Sequence, residues 1–132
     1  MMNTTTNATE TVKSILWFSR HNMTVEQIED LKRIYGSEVS IHHVVGNASS
    51  WKDVAEAGKD DDVLAVVLPP SLLADLTNPR NNVKPVIRAI ANRVATGNRV
   101  INPATGKEED EYKFIHAGWE KVLKIEVLTE RL

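Results

Sequence analysis

Apolar and polar positions along this 132-residue chain follow two alternating periods, one typical of strands and one typical of helices. Runs rich in β-branched residues predict strands, and apolar residues at every third or fourth position predict helices. The predicted strands cover residues 12–18, 37–45, 63–68 and 84–91. The predicted helices cover residues 25–35, 51–57 and 71–76. This order, β-α-β-α-β-α-β, favours a parallel sheet with right-handed crossovers.

The first helix has the clearest start and stop signals. Thr24 precedes the apolar repeat and Gln27 follows three residues later, which is the spacing of a capping box. Gly36 follows the last apolar position, where glycine commonly ends a helix. A short polar turn separates this helix from the first strand, so we expect its first turn to lie beside the carboxyl end of that strand.

The last third of the chain changes character. Residues 92–106 are rich in Asn, Arg and Gly, and residues 103–106 predict a turn. Residues 112–116 and 120–128 predict two further strands, linked through Gly118. We therefore expect one domain over residues 12–132, an α/β fold with a Rossmann-like parallel sheet, flanking helices and a C-terminal antiparallel β extension. Residues 1–11 are expected to be a frayed tail, and the acidic run 60–62 a solvated loop.

Composition excludes several classes of function. The chain has no cysteine, which rules out disulfides, thiolate metal sites and a cysteine nucleophile. Its 16 basic and 18 acidic residues give a net charge of -2, which argues against binding duplex DNA. The apolar runs are far shorter than the ~20 residues of a membrane helix. No export signal is visible at the N-terminus, so we expect a cytoplasmic protein with no membrane partner.

Standard cofactor and metal motifs are missing. No GxGxxG follows the first strand, and the chain contains no GxxxxGK[ST], HExxH or G-x-S-x-G. His42 and His43 are neighbours in a predicted strand, so their side chains face opposite sides and do not form a metal pair. We therefore expect neither a cofactor nor a metal ion.

Polar residues follow the predicted strands at the edge where open parallel sheets bind their ligands, beyond the carboxyl ends. After the first strand the candidates are Ser19, Arg20, His21, Asn22 and Thr24. Near the third and fourth strands they are Pro69, Ser71, Arg88, Asn92 and Arg93. Guanidinium groups beside a helix N-terminus suit phosphate oxygens, so this edge predicts an anion site. The alternative is that these arginines are ordinary surface residues.

Several of the candidate residues keep more than one interpretation. Ser19 acts through its hydroxyl or only starts the turn. His21 is a general acid or base, a hydrogen-bond donor to a phosphate, or a hydrogen-bonded structural residue. Asn22 and Thr24 fit turn and cap positions, and His116 either joins the site from the C-terminal extension or packs within the fold.

One segment resembles a known family. The motif F-S-R-H at residues 18–21, followed by M-T-V-E-Q-I-E-D-L at residues 23–31, resembles the small CRISPR-associated proteins related to CARF domains. Several of these are called ring nucleases. Their chains open with a strand, an (S)-(R)-H turn and a T-x-E-Q helix. A mid-chain apolar strand then ends in a Leu-Pro step, as at Leu68-Pro69 here, and the similarity covers residues 13–93.

The resemblance implies a homodimer in antiviral defence that binds a cyclic oligonucleotide, cyclic oligoadenylate, across its twofold axis. Some members cleave the ring without metal, because the ribose 2′-OH attacks the adjacent phosphate and leaves a 2′,3′-cyclic phosphate. Ser19, Arg20 and His21 match the turn that would contact the phosphates, and they are the expected catalytic residues. The placement of Arg88, Asn92 and Arg93 rests on strand geometry and not on the motif.

Three functions stay open at this point. The first is a metal-independent phosphodiesterase acting on a cyclic oligonucleotide. The second is a sponge or sensor that binds the same ligand and leaves it intact. The third is a structural or protein-interaction domain, in which the arginines pair with Asp and Glu side chains.

Overall fold

Strands and helices alternate along the chain until the last two strands, which form a hairpin. The computed structural model describes residues 11–126 and 128–132. The strands are β1 (Ser14–Phe18), β2 (Ser40–Val44), β3 (Val63–Val66), β4 (Val86–Ile101) and β5 (Glu108–Lys121). The helices are α1 (Val25–Tyr35), α2 (Trp51–Ala57) and α3 (Pro70–Leu76). Apart from Thr11, the tail expected over residues 1–11 lies outside the described residues.

The five strands form one sheet in the order β2-β1-β3-β4-β5. β1 pairs in parallel with both β2 and β3, and β3 pairs in parallel with β4. Only the β4–β5 pair is antiparallel. The predicted α/β fold, a Rossmann-like sheet with a C-terminal antiparallel extension, is confirmed. Because the chain moves outward from β1 in both directions, the switch point of the sheet lies between β1 and β3.

The two central strands are apolar on both sides because helices cover both faces of the sheet. On one face Ile15 and Trp17 of β1 pack with Leu31 of α1. On the other face Leu16 packs with Val54 of α2 and with residues of α3. Side chains alternate between these two clusters along β1, as the pleat of a strand requires. The core therefore holds the carboxyl ends of β1 and β3 in fixed positions.

The prediction for the last third of the chain was wrong about where the strands end. Residues 92–101 continue β4, although an irregular segment was expected there. The two strands expected at residues 112–116 and 120–128 are one strand, β5, which ends at Lys121. Gly118, with φ 139°, lies beside a register shift inside this strand. The hairpin is exposed on both faces, so the alternation that reveals a half-buried strand is missing from its sequence.

Other elements match more closely. Helices α1 and α2 have the predicted bounds, and the boundaries of β1, β2, β3 and α3 move by no more than three residues. The turn expected at residues 103–106 is present, with Gly106 at φ 72°. The acidic run is a loop with Asp60 and Asp62 exposed, but Asp61 is only 4% exposed, against the expectation of a fully solvated segment. The Asp62 carboxylate accepts hydrogen bonds from the backbone N–H groups of Lys13 and Ser14.

The pairing of β3 with β4 ends at Ala65 and Ile87. Beyond that point β4 and β5 continue as a two-stranded ribbon, here called the arm, which comprises residues 88–120. Within the described residues, no helix is both long enough and apolar enough to cross a lipid bilayer.

Candidate functional site

A cavity of about 360 Å³ opens at the carboxyl ends of β1 and β3. It lies at the switch point, between the first turn of α1 on one side and the start of the arm on the other. Five of the predicted site residues line it: Ser19, His21, Asn22, Thr24 and Arg88. Its volume falls in the range of pockets that take small molecules. A cavity is therefore present at the edge where the sequence predicts the ligand site.

The turn after β1 is fixed by four hydrogen bonds. Ser19 is buried; its backbone N–H donates to the Val44 carbonyl at 3.3 Å, and its own carbonyl accepts from Nε2 of His43 at 3.0 Å. The Ser19 hydroxyl accepts a hydrogen bond from the His21 N–H at 3.1 Å. The Trp17 indole then donates to the His21 carbonyl at 2.8 Å. Ser19 thus acts as a turn residue in this structure, which is one of its two interpretations from the sequence.

Helix α1 begins beside the cavity with the predicted capping box. The Thr24 hydroxyl accepts from the Gln27 N–H at 3.2 Å, and the Gln27 side chain accepts from the Thr24 N–H at 2.9 Å. Both residues line the cavity, so the positive end of the helix dipole faces it. Glu26, also in the first turn, opposes this charge in part.

Two tryptophans meet at the wall of the larger cavity, which Trp17 lines. The rings of Trp17 and Trp119 meet edge to face, with their centroids 5.9 Å apart. The Trp119 indole donates to the Gln27 carbonyl at 3.1 Å, which fastens β5 to the start of α1. His116 of β5 bonds to Asp30 of α1 at 2.9 Å. Of its two interpretations, His116 therefore takes the packing one.

The bond between His116 and Asp30 also has an electrostatic consequence. The hydrogen bond from His116 lowers the pKa of the Asp30 carboxyl below its ordinary value, and a second bond from Arg33 acts in the same direction. Asp30 is thereby favoured in its charged form, which strengthens its hydrogen bond with His116 at the base of the arm.

A second, smaller cavity of about 170 Å³ lies on the other side of the same turn. Arg20 and Pro69 line it, together with Gly46, Asn47 and Ala48 from the connection between β2 and α2. Ser19, His21, Val67 and Leu68 line both cavities. The turn predicted to carry the chemistry is therefore a ridge with a compartment on either side.

The predicted arginines differ in what they contact. Nε of Arg88 lies 3.0 Å from the Glu120 carboxylate, its partner across the β4–β5 ladder. The Arg93 guanidinium stacks on the Tyr112 ring, 3.7 Å from its centroid. Arg99 pairs with Glu108 and Asp110 near the tip of the arm. Arg88 and Arg99 thus pair with carboxylates, as the structural interpretation of the arginines expects, whereas Arg93 contacts an aromatic ring instead.

Three predicted site residues lie away from both cavities. Asn92 and Arg93 were placed after strand four, but they lie inside β4, because that strand continues into the arm. From Arg88 to Arg93 the extended chain covers about 16 Å. Ser71 is exposed in the first turn of α3 and lines neither cavity.

Arg20, His21 and Asn22 are exposed, and their side chains form no hydrogen bond or ion pair within residues 11–126 and 128–132. They form an exposed group of one permanent cation, one imidazole and one amide on a turn whose backbone is held rigidly. A guanidinium forms paired hydrogen bonds with phosphate oxygens, and an imidazole accepts or donates a proton near neutral pH. The arrangement suits an anionic ligand that approaches from solvent.

The remaining histidines do not assemble a metal centre. His42 bonds to buried Asp61 at 2.8 Å, whereas His43 bonds to Ser19, so the two neighbours serve different contacts as predicted. Among the described residues, no group of three or more His, Asp or Glu side chains is arranged to hold a metal ion.

Several residues of the site were not anticipated from the sequence. Leu68 and Leu73 line the larger cavity, and Gln27 was noted only as a capping residue. The Glu120 carboxylate that engages Arg88 carries no local signal, because the pair depends on strand register across 32 positions of sequence. Comparison of the chain with protein-family models, with curated proteins and with solved structures finds no match.

Proposed function

We propose that this protein binds a cyclic oligonucleotide messenger through its phosphates at the carboxyl edge of the sheet. The observation that carries the proposal is the pair Arg20 and His21, whose side chains have no polar partner among the described residues, on a rigid ridge between two cavities. A cyclic oligonucleotide presents phosphates and bases in alternation. A ridge that offers a cation, with a compartment on each side, matches that repeat.

The charges around the ridge support an anionic ligand. Arg20 supplies the positive charge, and the first turn of α1 adds the positive end of the helix dipole beside the larger cavity. The chain as a whole carries a net charge of -2, so the affinity for an anion comes from this local arrangement and not from a broad basic surface.

We further propose that the same ridge opens the ring without metal. In this reaction the ribose 2′-OH attacks the adjacent phosphorus, and the bond from phosphorus to the 5′ oxygen breaks. His21 accepts the proton of the 2′-OH, and a proton from solvent or from the imidazolium so formed goes to the leaving 5′ oxygen. Arg20 stabilises the extra charge on the phosphorane. The products are a linear chain with a 2′,3′-cyclic phosphate at one end and a 5′-OH at the other.

A second candidate function is sequestration, in which the ligand is bound and released intact. It is favoured by the contacts of Ser19 and Arg88: the Ser19 hydroxyl accepts from the His21 N–H, and Arg88 is paired with Glu120. Of the three expected catalytic residues, Arg20 and His21 then remain for chemistry, and two exposed groups suffice for binding more readily than for catalysis.

One experiment separates these functions. The purified protein is incubated with cyclic di-, tri-, tetra- and hexa-nucleotides in the presence of EDTA, and the mixture is separated by HPLC with mass detection. Linear products with 2′,3′-cyclic phosphate ends are expected for ring opening. A cyclic nucleotide that disappears from solution and returns intact after the protein is denatured indicates sequestration. If every nucleotide stays free and unchanged, the proposed function is wrong.

A further inference from the structure

The arm exposes apolar side chains along both of its faces. Phe114 is 73% exposed, although aromatic residues on ordered strands usually pack against a neighbour. The other exposed apolar residues of this ribbon are Ile90, Val94, Val100, Ile101, Tyr112 and Ile115. Adjacent residues of a strand, such as Phe114 and Ile115, point to opposite faces, so neither face of the ribbon is purely polar.

A ribbon of two strands is at best marginally stable in water by itself. Within the described residues, the arm touches a helix only near its base, through the bonds from His116 and Trp119 to α1. Beyond the pairing with β3, the outer edges of both strands are free among those residues. Free edges and exposed apolar faces together are the features by which strands pair with another chain.

The two halves of the arm carry opposite net charges. Its outer half, residues 96–111, contains two basic residues against four acidic ones, and the acidic ones are consecutive at residues 108–111. Its inner half, residues 88–95 and 112–120, contains three basic residues against one acidic one. Arg88–Glu120 and Arg99–Asp110 are paired within the chain, and Arg99 also pairs with Glu108. Lys113 and the stacked Arg93 then leave the inner half positive. In the outer half Glu109 and Glu111, which accept hydrogen bonds from Asn102 and Thr96, outweigh Lys107.

We propose that the arm is the docking surface for a second copy of this chain, with the two arms side by side in opposite directions. A twofold axis across the arms brings the acidic tip of one copy to the basic base of the other, so each copy supplies both halves of the match. The apolar side chains of the two ribbons then cover one another. The same charges oppose a parallel arrangement, in which tip would meet tip.

The dimensions of the arm are sufficient for a stable dimer. Strand β4 extends past Ile87 by fourteen residues, from Arg88 to Ile101. At ~3.3 Å per residue and ~4.8 Å between strands, the ribbon is roughly 45 Å long and 10 Å wide, or about 450 Å² in plan on each face. Stable interfaces bury about 800 Å² from each partner, which one face and one edge of such a ribbon provide.

The proposed interface adjoins the candidate site. Arg88 and Ala89, the first residues of the arm, line the larger cavity, so a partner bound along the arm lies next to it. The inference concerns assembly and does not depend on the proposed ligand. Its test measures mass in the absence of any nucleotide, so the failure of one proposal is distinguishable from the failure of the other.

Sedimentation equilibrium of the full chain tests the dimer. The wild type is expected to sediment at twice 14.7 kDa, and the dimer is expected to weaken as the salt concentration rises. The double substitution Phe114→Asp with Ile115→Asp, which alters both faces of the arm, is expected to give a monomer. Val83→Asp is the matched control, since Val83 is 87% exposed and lies outside the arm, and it is expected to remain dimeric.

A second variant tests the proposal in case the double variant does not fold. Glu109→Lys reverses one charge at the exposed tip, where no core contact is at stake, and is expected to weaken association by about tenfold or more. Circular dichroism verifies that each variant is folded. A wild-type chain that stays monomeric at high concentration would overturn the proposal. So would a folded Glu109→Lys variant, or a folded double variant, that associates as strongly as the wild type.

Discussion

At the scale of single residues, the candidate site divides into groups that hold the structure and groups that are free. Ser19, Thr24 and Arg88 each make specific contacts with the chain itself. Arg20 and His21 make no side-chain contact of this kind among the described residues. Substitution of the first group is therefore expected to disturb folding, whereas substitution of the second is expected to leave stability within about 0.5 kcal/mol.

A substitution at His21 tests whether ring opening can be separated from binding. If its imidazole accepts the proton of the attacking 2′-OH, His21→Ala is expected to slow ring opening by roughly 10²- to 10⁴-fold while the ligand stays bound. Single-turnover cleavage with mass detection measures the rate, and a filter or calorimetric assay measures binding. Arg80→Ala is a suitable control, since Arg80 is exposed and lines neither cavity. Cleavage by His21→Ala at the wild-type rate would remove His21 from the mechanism.

At the scale of elements, the core depends on how closely the end of α2 approaches the central strands. Gly58 ends α2 and is buried against Leu16 of β1 and Leu64 of β3. A Cβ at this position would lie 2.9 Å from Cδ2 of Leu16 and would also overlap Leu64. Glycine is thus favoured here by space and not by a positive φ.

Gly58→Ala is therefore expected to lower the free energy of unfolding by about 1–3 kcal/mol, because the two leucines must shift in a packed core. Urea unfolding followed by circular dichroism measures the change. Gly46→Ala is the matched control, since a Cβ there meets no atom within 4 Å. Equal stability of the two variants would show that the core around Gly58 adapts more easily than this packing implies.

The elements that the sequence predicted well share a local signal. Helix α1 follows from its apolar spacing and from the Thr24–Gln27 capping box, and β3 follows from an unbroken apolar run. The arm had no such signal, since a ribbon exposed on both faces carries mixed polar and apolar residues in both strands. Asp61 was misjudged because its burial depends on His42, a residue nineteen positions away that only the fold brings near.

The candidate site shows the same division. The ridge at residues 19–21 was predictable, since it follows a buried strand and precedes a capped helix. The loss of Arg93 from the site was not, because it depends on the length of β4. The pairing of Arg88 with Glu120 was not predictable either, because it depends on the register between two strands.

At the scale of the whole molecule, three carboxylates fix the backbone or a neighbouring element through hydrogen bonds, and the pKa of each is lowered. Asp30 joins α1 to β5 chiefly through His116, Asp53 caps α2 through the backbone N–H of Ser49, and Asp62 holds β1 through the backbone N–H of Lys13. A lowered pKa means that the folded chain binds fewer protons than the unfolded chain. Their stabilisation is therefore present above the ordinary carboxyl pKa and is lost as the pH falls through the folded values.

The free energy of unfolding is accordingly expected to be level near neutral pH and to fall below about pH 4. Urea titrations at a series of pH values measure this profile. Asp62→Asn is expected to reduce stability at neutral pH and to flatten the acid limb. Asp60→Asn is the control, because Asp60 is exposed and makes no hydrogen bond among the described residues. An acid limb that is unchanged in Asp62→Asn would show that the backbone contacts of Asp62 contribute little.

The central claim is that the ridge bearing Arg20 binds a cyclic oligonucleotide, and thermal unfolding tests it most directly. At a ligand concentration a hundred times the dissociation constant, binding stabilises the chain by ~2.7 kcal/mol, which raises Tm by on the order of 10 °C for a domain of this size. We expect this rise in the wild type and in Arg80→Ala, which alters an exposed arginine that lines neither cavity. We expect no rise in Arg20→Ala. An equal rise in Arg20→Ala, or no rise in the wild type with any cyclic nucleotide, would contradict the claim.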